Sequence, residues 1–168
     1  MPRVSNGLLL LLGLSLAACN KSPSSVPSDA RQTAAALAGD NKGAASANPQ
    51  CRMFTTAEIE GYGGAPVGAG TNAAMGTGCQ WPGTQGDGNG TVMLQMVPAR
   101  YHEPPSAAPG FKKLADVGKE GFVVPEMGGW HAGAIQGQHS INVTTSGPAA
   151  SGEKTVAFLR EAIKRAGS

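Results

Sequence analysis

The sequence predicts an α+β fold: one domain in which an antiparallel sheet is flanked by an N-terminal and a C-terminal helix, an α/β sandwich with one disulfide. Three observations carry this. A capped helix start lies between Cys51 and Cys79, short apolar-alternating runs follow from Thr91 to Thr145, and the chain closes on an amphipathic segment from Ser151 to Ala166. A length of 168 residues suits a single domain with a sizeable core. Aromatics are only 5% of a chain with 25 glycines and 12 prolines, so the core is modest and a covalent staple matters more than usual.

The chain begins with an export signal. Arg3 and the amino terminus form a positive region, and Gly7 to Ala18 is a Leu-rich run shorter than the ~20 residues of a spanning helix. Leu16-Ala17-Ala18-Cys19 resembles a bacterial lipobox, which implies that Cys19 is lipidated and becomes the mature N-terminus. An ordinary secretory signal, or a short uncleaved anchor, is the other reading of the same residues. Asn20, in place of an Asp, implies by the same resemblance the outer membrane where the cell has one. Residues 1–18 are thus read as signal peptide, 19–50 as lipid anchor and tether, and 51–168 as the globular domain. The tether is rich in Ser, Pro, Ala and Gly, and cannot bury enough apolar area to offset its ordering entropy.

With Cys19 carrying lipid, Cys51 and Cys79 remain as an even pair in an oxidising compartment. A free redox pair would want Cys-x-x-Cys, which is absent. From Cys51 onward, nine Lys and Arg balance nine Asp and Glu, so the overall charge of +2 arises upstream. A neutral domain offers no nucleic-acid surface.

Thr55 with Glu58 forms a capping box, Phe54 with Ile59 the matching hydrophobic staple, and Gly63-Gly64 the stop. Gly64 to Gly78 reads as a loop with a short irregular strand. Cys79-Gln80-Trp81 places Trp81 on the same strand face as the disulfide. Gly83 to Gly90, with Asp87-Gly88 and Asn89-Gly90, reads as a reversal. Thr91 to Val97 is the strongest strand, and its apolar residues on both faces predict a sheet partly covered on each. Ala99 to Gly110 is a Pro-rich crossing, Phe111 to Val117 a short helix or irregular approach, and Gly121 to Pro125 a strand. Trp130 to Gln136 and His139 to Thr145 pair about Gly137-Gln138, where a leading Gly suits a type II′ turn. Trp130, Ala132, Ala134, Ile141 and Val143 then share one face, and His131, Gly133, Ile135, Ser140, Asn142 and Thr144 the other. The small residues on the first face leave room for the last helix, whose Val156, Leu159, Ala162 and Ile163 recur at helical spacing.

Catalytic and metal motifs are absent. His131 and His139 fall on opposite faces of their hairpin, His102 sits in the crossing, and no Cys/His cluster or His-Glu-x-x-His occurs, so the histidines read as solvated. Methionines 53, 75, 93, 96 and 127 read as gap fillers rather than soft-metal ligands. There is no nucleophile elbow, and Ser140 beside His139 makes no triad by adjacency. Tyr101 and His131 are the positions singled out for a partner surface. No cofactor is called for.

Cys-Arg-Met-Phe-Thr-Thr-Ala-Glu-Ile from Cys51, Gly78-Cys79-Gln80-Trp81, Val117-Gly118-Lys119-Glu120-Gly121-Phe122 and the closing helix resemble a large family of small bacterial lipoproteins of unknown function. The resemblance spans Cys51 to about Ala166 and implies a sheet flanked by helices, similar to the Mog1/PsbP-like sandwich. Lys119 and Gly121 depart from that family's Gly-Asp-Glu-Ala type motif. The expected function is a non-catalytic binding or scaffolding module, anchored to the membrane through Cys19, for an envelope protein or cell-wall partner. A carrier of a small apolar ligand or lipid is the alternative, using the cleft left by Gly and Ala on the sheet, and an envelope hydrolase is the third.

Overall fold

The computed structural model describes residues 47–73, 76–85 and 90–167. The expected export signal, Cys19, nearly all of the expected tether, Met75 and residues 86–89 of the expected reversal lie outside them. The strands are β1 (Thr71–Ala73), β2 (Gly78–Pro82), β3 (Thr91–Pro98), β4 (Lys112–Leu114), β5 (Lys119–Glu126), β6 (Gly129–Gln136) and β7 (His139–Ser146). They form one antiparallel sheet in the order β1-β2-β3-β7-β6-β5-β4, with helices α1 (Pro49–Arg52) and α2 (Thr56–Gly63) before it and α3 (Gly152–Ala166) after it. Two meanders, β1–β3 and β4–β7, thus join through the β3–β7 ladder. The fold is the expected α+β domain, and Cys51 and Cys79 form its disulfide.

Local chemistry sets the helix boundaries. The Thr55 hydroxyl accepts from the Glu58 N–H at 3.3 Å while the Glu58 carboxylate accepts from the Thr55 N–H at 2.8 Å, the reciprocal capping box. Gly64, at φ 73°, ends α2 in the left-handed conformation that glycine adopts without steric cost. Cys51 does not lie on this helix. It sits on α1, a separate turn capped by Asn48, so the disulfide staples that turn to β2 rather than α2 to the sheet. Asn48 is buried, and its amide donates to Asn72 Oδ1 and the Gly78 carbonyl, which brings the fold's start ahead of Cys51.

One face of the sheet meets the helices. Ala132 and Ala134 of β6, paired with Val143 and Ile141 of β7, are fully buried beneath Phe158, Leu159 and Ala162 of α3. Cys79 and Trp81 share the same core, and a side chain at Gly70 would run into both. Phe54, Tyr62 and Phe158 join α2 to α3, with Phe158 5.0 Å from each of the other two rings. Arg165 closes the joint: its guanidinium lies 4.2 Å over the Phe54 ring, donates to Glu58 at 2.6 Å and Glu161 at 2.9 Å, and reaches the Met53 carbonyl. A buried hydroxyl relay pins the start of α3, Thr145 donating to Thr155 at 2.6 Å and Thr155 to the Ser151 carbonyl at 2.8 Å.

The expectation of helical or irregular structure over Phe111 to Val117 is corrected: Lys112–Leu114 is an edge strand paired with Gly121–Val123. The partial cover of both faces that β3 suggests is present: the helices pack on one face, and the Pro-rich crossing covers part of the other, where Phe122, Val124 and Ser140 are buried. The β6–β7 register is as expected, and Gly137 alone of the two turn residues has positive φ, as a type II′ turn requires.

Two outcomes test this assembly. Closing a loop across a separation of 28 residues contributes about 3–4 kcal/mol in the chain-entropy model, so replacing both cysteines by alanine should lower the unfolding free energy by that amount in a urea titration, with the m-value raised as the unfolded chain expands. The Arg165 guanidinium, and then the Thr55 N–H, lower the pKa of Glu58 to about 2. A depressed carboxylate stabilises the fold above its ordinary value of 4.5, and that contribution fades as pH falls toward about 2. Glu58→Gln should therefore flatten the decline in stability measured across that window; an unchanged slope would remove Glu58 as a cause.

Candidate functional site

On the face away from the helices, β5, β6 and β7 present a line of polar side chains over one aromatic ring. Strand alternation puts them there: Gly133 pairs with Asn142, and His131 with Thr144, so both pairs point away from the Ala132–Val143 layer. His131 Nδ1 lies 2.9 Å from Glu126 Oε1, and its Nε2 lies 3.4 Å from Asn142 Oδ1. The Asn142 amide donates to Ser140 Oγ at 3.0 Å, and Ser140 Oγ lies 2.8 Å from His102 Nδ1. His102 Nε2 then lies 3.2 Å from the Glu120 carbonyl. These five contacts form a continuous ladder across three strands and onto the crossing.

The backbone is shaped to complete the ladder. A 3₁₀ turn, Ala99–Tyr101, leads from β3 into the crossing and brings His102 over β7. A register shift between Lys119 and Phe122 bulges β5, leaving Glu120 at φ 56° with its carbonyl toward His102. For a residue with a Cβ this left-handed conformation costs about 1 kcal/mol. Phe122 floors the ladder, 5.0 Å edge-on from His131 and 5.8 Å from His102, with Phe111 stacked on it at 5.8 Å.

Beside the ladder the face opens into a cleft of about 450 Å³ lined by Met93, Gln95 and Val97 of β3, Tyr101 and Glu103 of the crossing, Glu126, His131, Asn142 and Thr144. Tyr101 is 58% exposed and stacks against the Arg100 guanidinium at 4.6 Å. The lining combines an apolar floor, a phenol and two carboxylates, and it holds no lysine or arginine.

Tyr101 and His131, singled out in the sequence, thus share one cleft. The solvated reading of the histidines is corrected for two of them: His102 and His131 are both held in hydrogen bonds, and only His139, the first residue of β7, is exposed. Ser140 has a histidine partner, but it is His102, 38 positions away, and not its neighbour His139. Ser140 is fully buried, so its hydroxyl links the ladder and is out of reach of a substrate. Glu103, Glu126 and Asn142 were missed because their roles depend on strands and a crossing distant in sequence; the period-two pattern around His131 and Asn142 was the one signal that placed them on a common face. Among the described residues, no group of three or more His, Cys, Asp or Glu is gathered to hold a metal ion. Met93 and Met96 lie on opposite faces of β3, and Met127 is fully exposed at the β5–β6 turn.

Gly133 supplies the space the ladder needs, since a Cβ there would run into Asn142 Oδ1 and come within 2.8 Å of the Phe122 ring. Gly133→Ala should cost about 1–3 kcal/mol by overpacking and break the His131–Asn142 contact, read as loss of the histidine side-chain N–H signal by NMR. In comparison with known proteins, the chain matches no family model and no curated protein.

Proposed function

We propose that this chain is a membrane-anchored, non-catalytic binding module of the bacterial envelope, held by lipid on Cys19, and that its open sheet face receives a partner protein. The occupant that fits is an extended segment of an envelope protein carrying cationic side chains between apolar ones. The observation that supports this is the asymmetry of the sheet. The helices bury the centre of one face, while the other carries a cleft with an apolar floor, an exposed tyrosine and two carboxylates unmatched by any lysine or arginine in the lining. Charge complementarity selects a cation, and the Met93–Val97 floor selects an apolar neighbour for it.

The alternative role as a carrier of an apolar ligand relied on space left by small residues on the sheet. That space is filled, because Ala132 and Ala134 are fully buried against α3. The open-face reading is therefore the one the geometry favours.

A pentapeptide alternating lysine and valine is a direct probe. Its addition should perturb the NMR signals of Met93, Tyr101 and Thr144 and leave α3 unaffected. Glu103→Gln should weaken it by roughly two- to fivefold, as befits an exposed ion pair, with the difference lost at high salt. Perturbations spread evenly over both faces, or affinity indifferent to Glu103, would defeat the proposal.

A further inference from the structure

The direction of each hydrogen bond in the ladder can be counted. Both ends are acceptors only: the ionised Glu126 carboxylate and the Glu120 carbonyl. Between them, the five contacts require five protons. Neutral His131, Ser140 and neutral His102 each supply one, and Asn142 supplies one while accepting another, which makes four. Rotating the Asn142 amide does not help. With its oxygen toward His131, that ring must donate from both nitrogens. With its oxygen toward Ser140, the hydroxyl must turn away from His102, and His102 must then donate from both of its nitrogens.

We infer that the ladder is a proton-loaded switch: it closes only when it binds one proton beyond its neutral members, and that proton sets the charge of the cleft. With the proton bound, Glu126 is balanced by an imidazolium within the ladder. Without it, one of the five contacts opens and the Glu126 charge is left to the cleft. Combined with the binding reading above, on which this last step alone rests, the proton and a cationic side chain compete for one carboxylate. Binding the cation releases up to one proton.

The surroundings keep this balance local. His131 faces Glu126 of β5, Asn142 of β7 and, across the cleft, Tyr101 and Glu103 of the crossing. His102 faces Ser140 of β7 and the Glu120 carbonyl of β5, while the Glu120 side chain turns to Lys119 at 3.8 Å. Neither ring meets a lysine or arginine in these contacts. Burial of Ser140 keeps solvent from substituting at the centre of the chain.

The test is ¹⁵N NMR of the two imidazoles in the full chain without ligand, between about pH 8 and 5, where histidines change charge. In the unmodified protein both rings should respond together as a single proton is taken up. Ser140→Ala touches neither Glu126 nor His131, yet it cuts the ladder and lets each half satisfy itself with neutral rings. The two rings should then respond to pH independently of one another. Glu126→Gln adds the missing donor at an exposed position, and both rings should then hold fixed neutral tautomers at the upper end of the range. A His131 profile superimposable in the unmodified protein and Ser140→Ala would overturn the inference, leaving an ordinary pair with Glu126. Coupled rings in a protein that ignores the lysine–valine peptide would uphold the ladder and remove only the binding reading.

Discussion

Everything in this structure depends on the close seating of α3 on the middle of the sheet. Two alanines, Ala132 and Ala134, lie opposite Val143 and Ile141, and their lack of bulk lets Phe158 and Leu159 come down onto the strands. In a chain with few aromatics, that contact gathers most of the large apolar side chains into one layer. α2 is then held from the side, through Phe158 against Phe54 and Tyr62 and through Arg165 against Glu58. The disulfide acts at the far edge, fastening the α1 turn to β2 where the helices do not reach.

The same seating creates the site by subtraction. An antiparallel sheet tolerates one solvated face, and here the residues between the buried ones become the polar ladder. Gly133 shows how tightly the two sides are coupled. It stands between Ala132 and Ala134, and its missing side chain makes room for Asn142 and Phe122 on the other face. The crossing from β3 to β4 has to pass this face to reach the far edge, and on its way it delivers Tyr101, His102 and Glu103. Connectivity, rather than a motif, assembles the cleft.

The parts legible from the sequence were those governed by neighbours along the chain. The capping box at Thr55 and Glu58, the stop at Gly64, the β6–β7 register and the face assignments of its residues all follow from spacing of a few positions. The parts that misled were those decided by partners far away. Lys112–Leu114 has weak strand character of its own and becomes a strand because β5 offers an unpaired edge. His102 looked solvated because its Pro-rich context says nothing about Ser140 lying 38 positions on. The separate turn that carries Cys51 was not legible, because the single turn of α1 has almost no periodicity to announce it.

By itself, then, the sequence determined an α+β domain with one disulfide, the alternation that sorts His131, Ser140 and Asn142 from Ala132, Ala134 and Val143, and the amphipathic helix that would cover one of those faces. Those properties reside in local sterics and in periods of two and 3.6 residues, which any folded context preserves. Only the tertiary structure decided which face the helix took, how the crossing met the other, and that Glu126, His131, Asn142, Ser140 and His102 stand in one hydrogen-bonded line. Hydrogen bonds reach about 3 Å and depend on direction, so side chains scattered over 40 positions form a chain only once strand order and bulge have brought them into register.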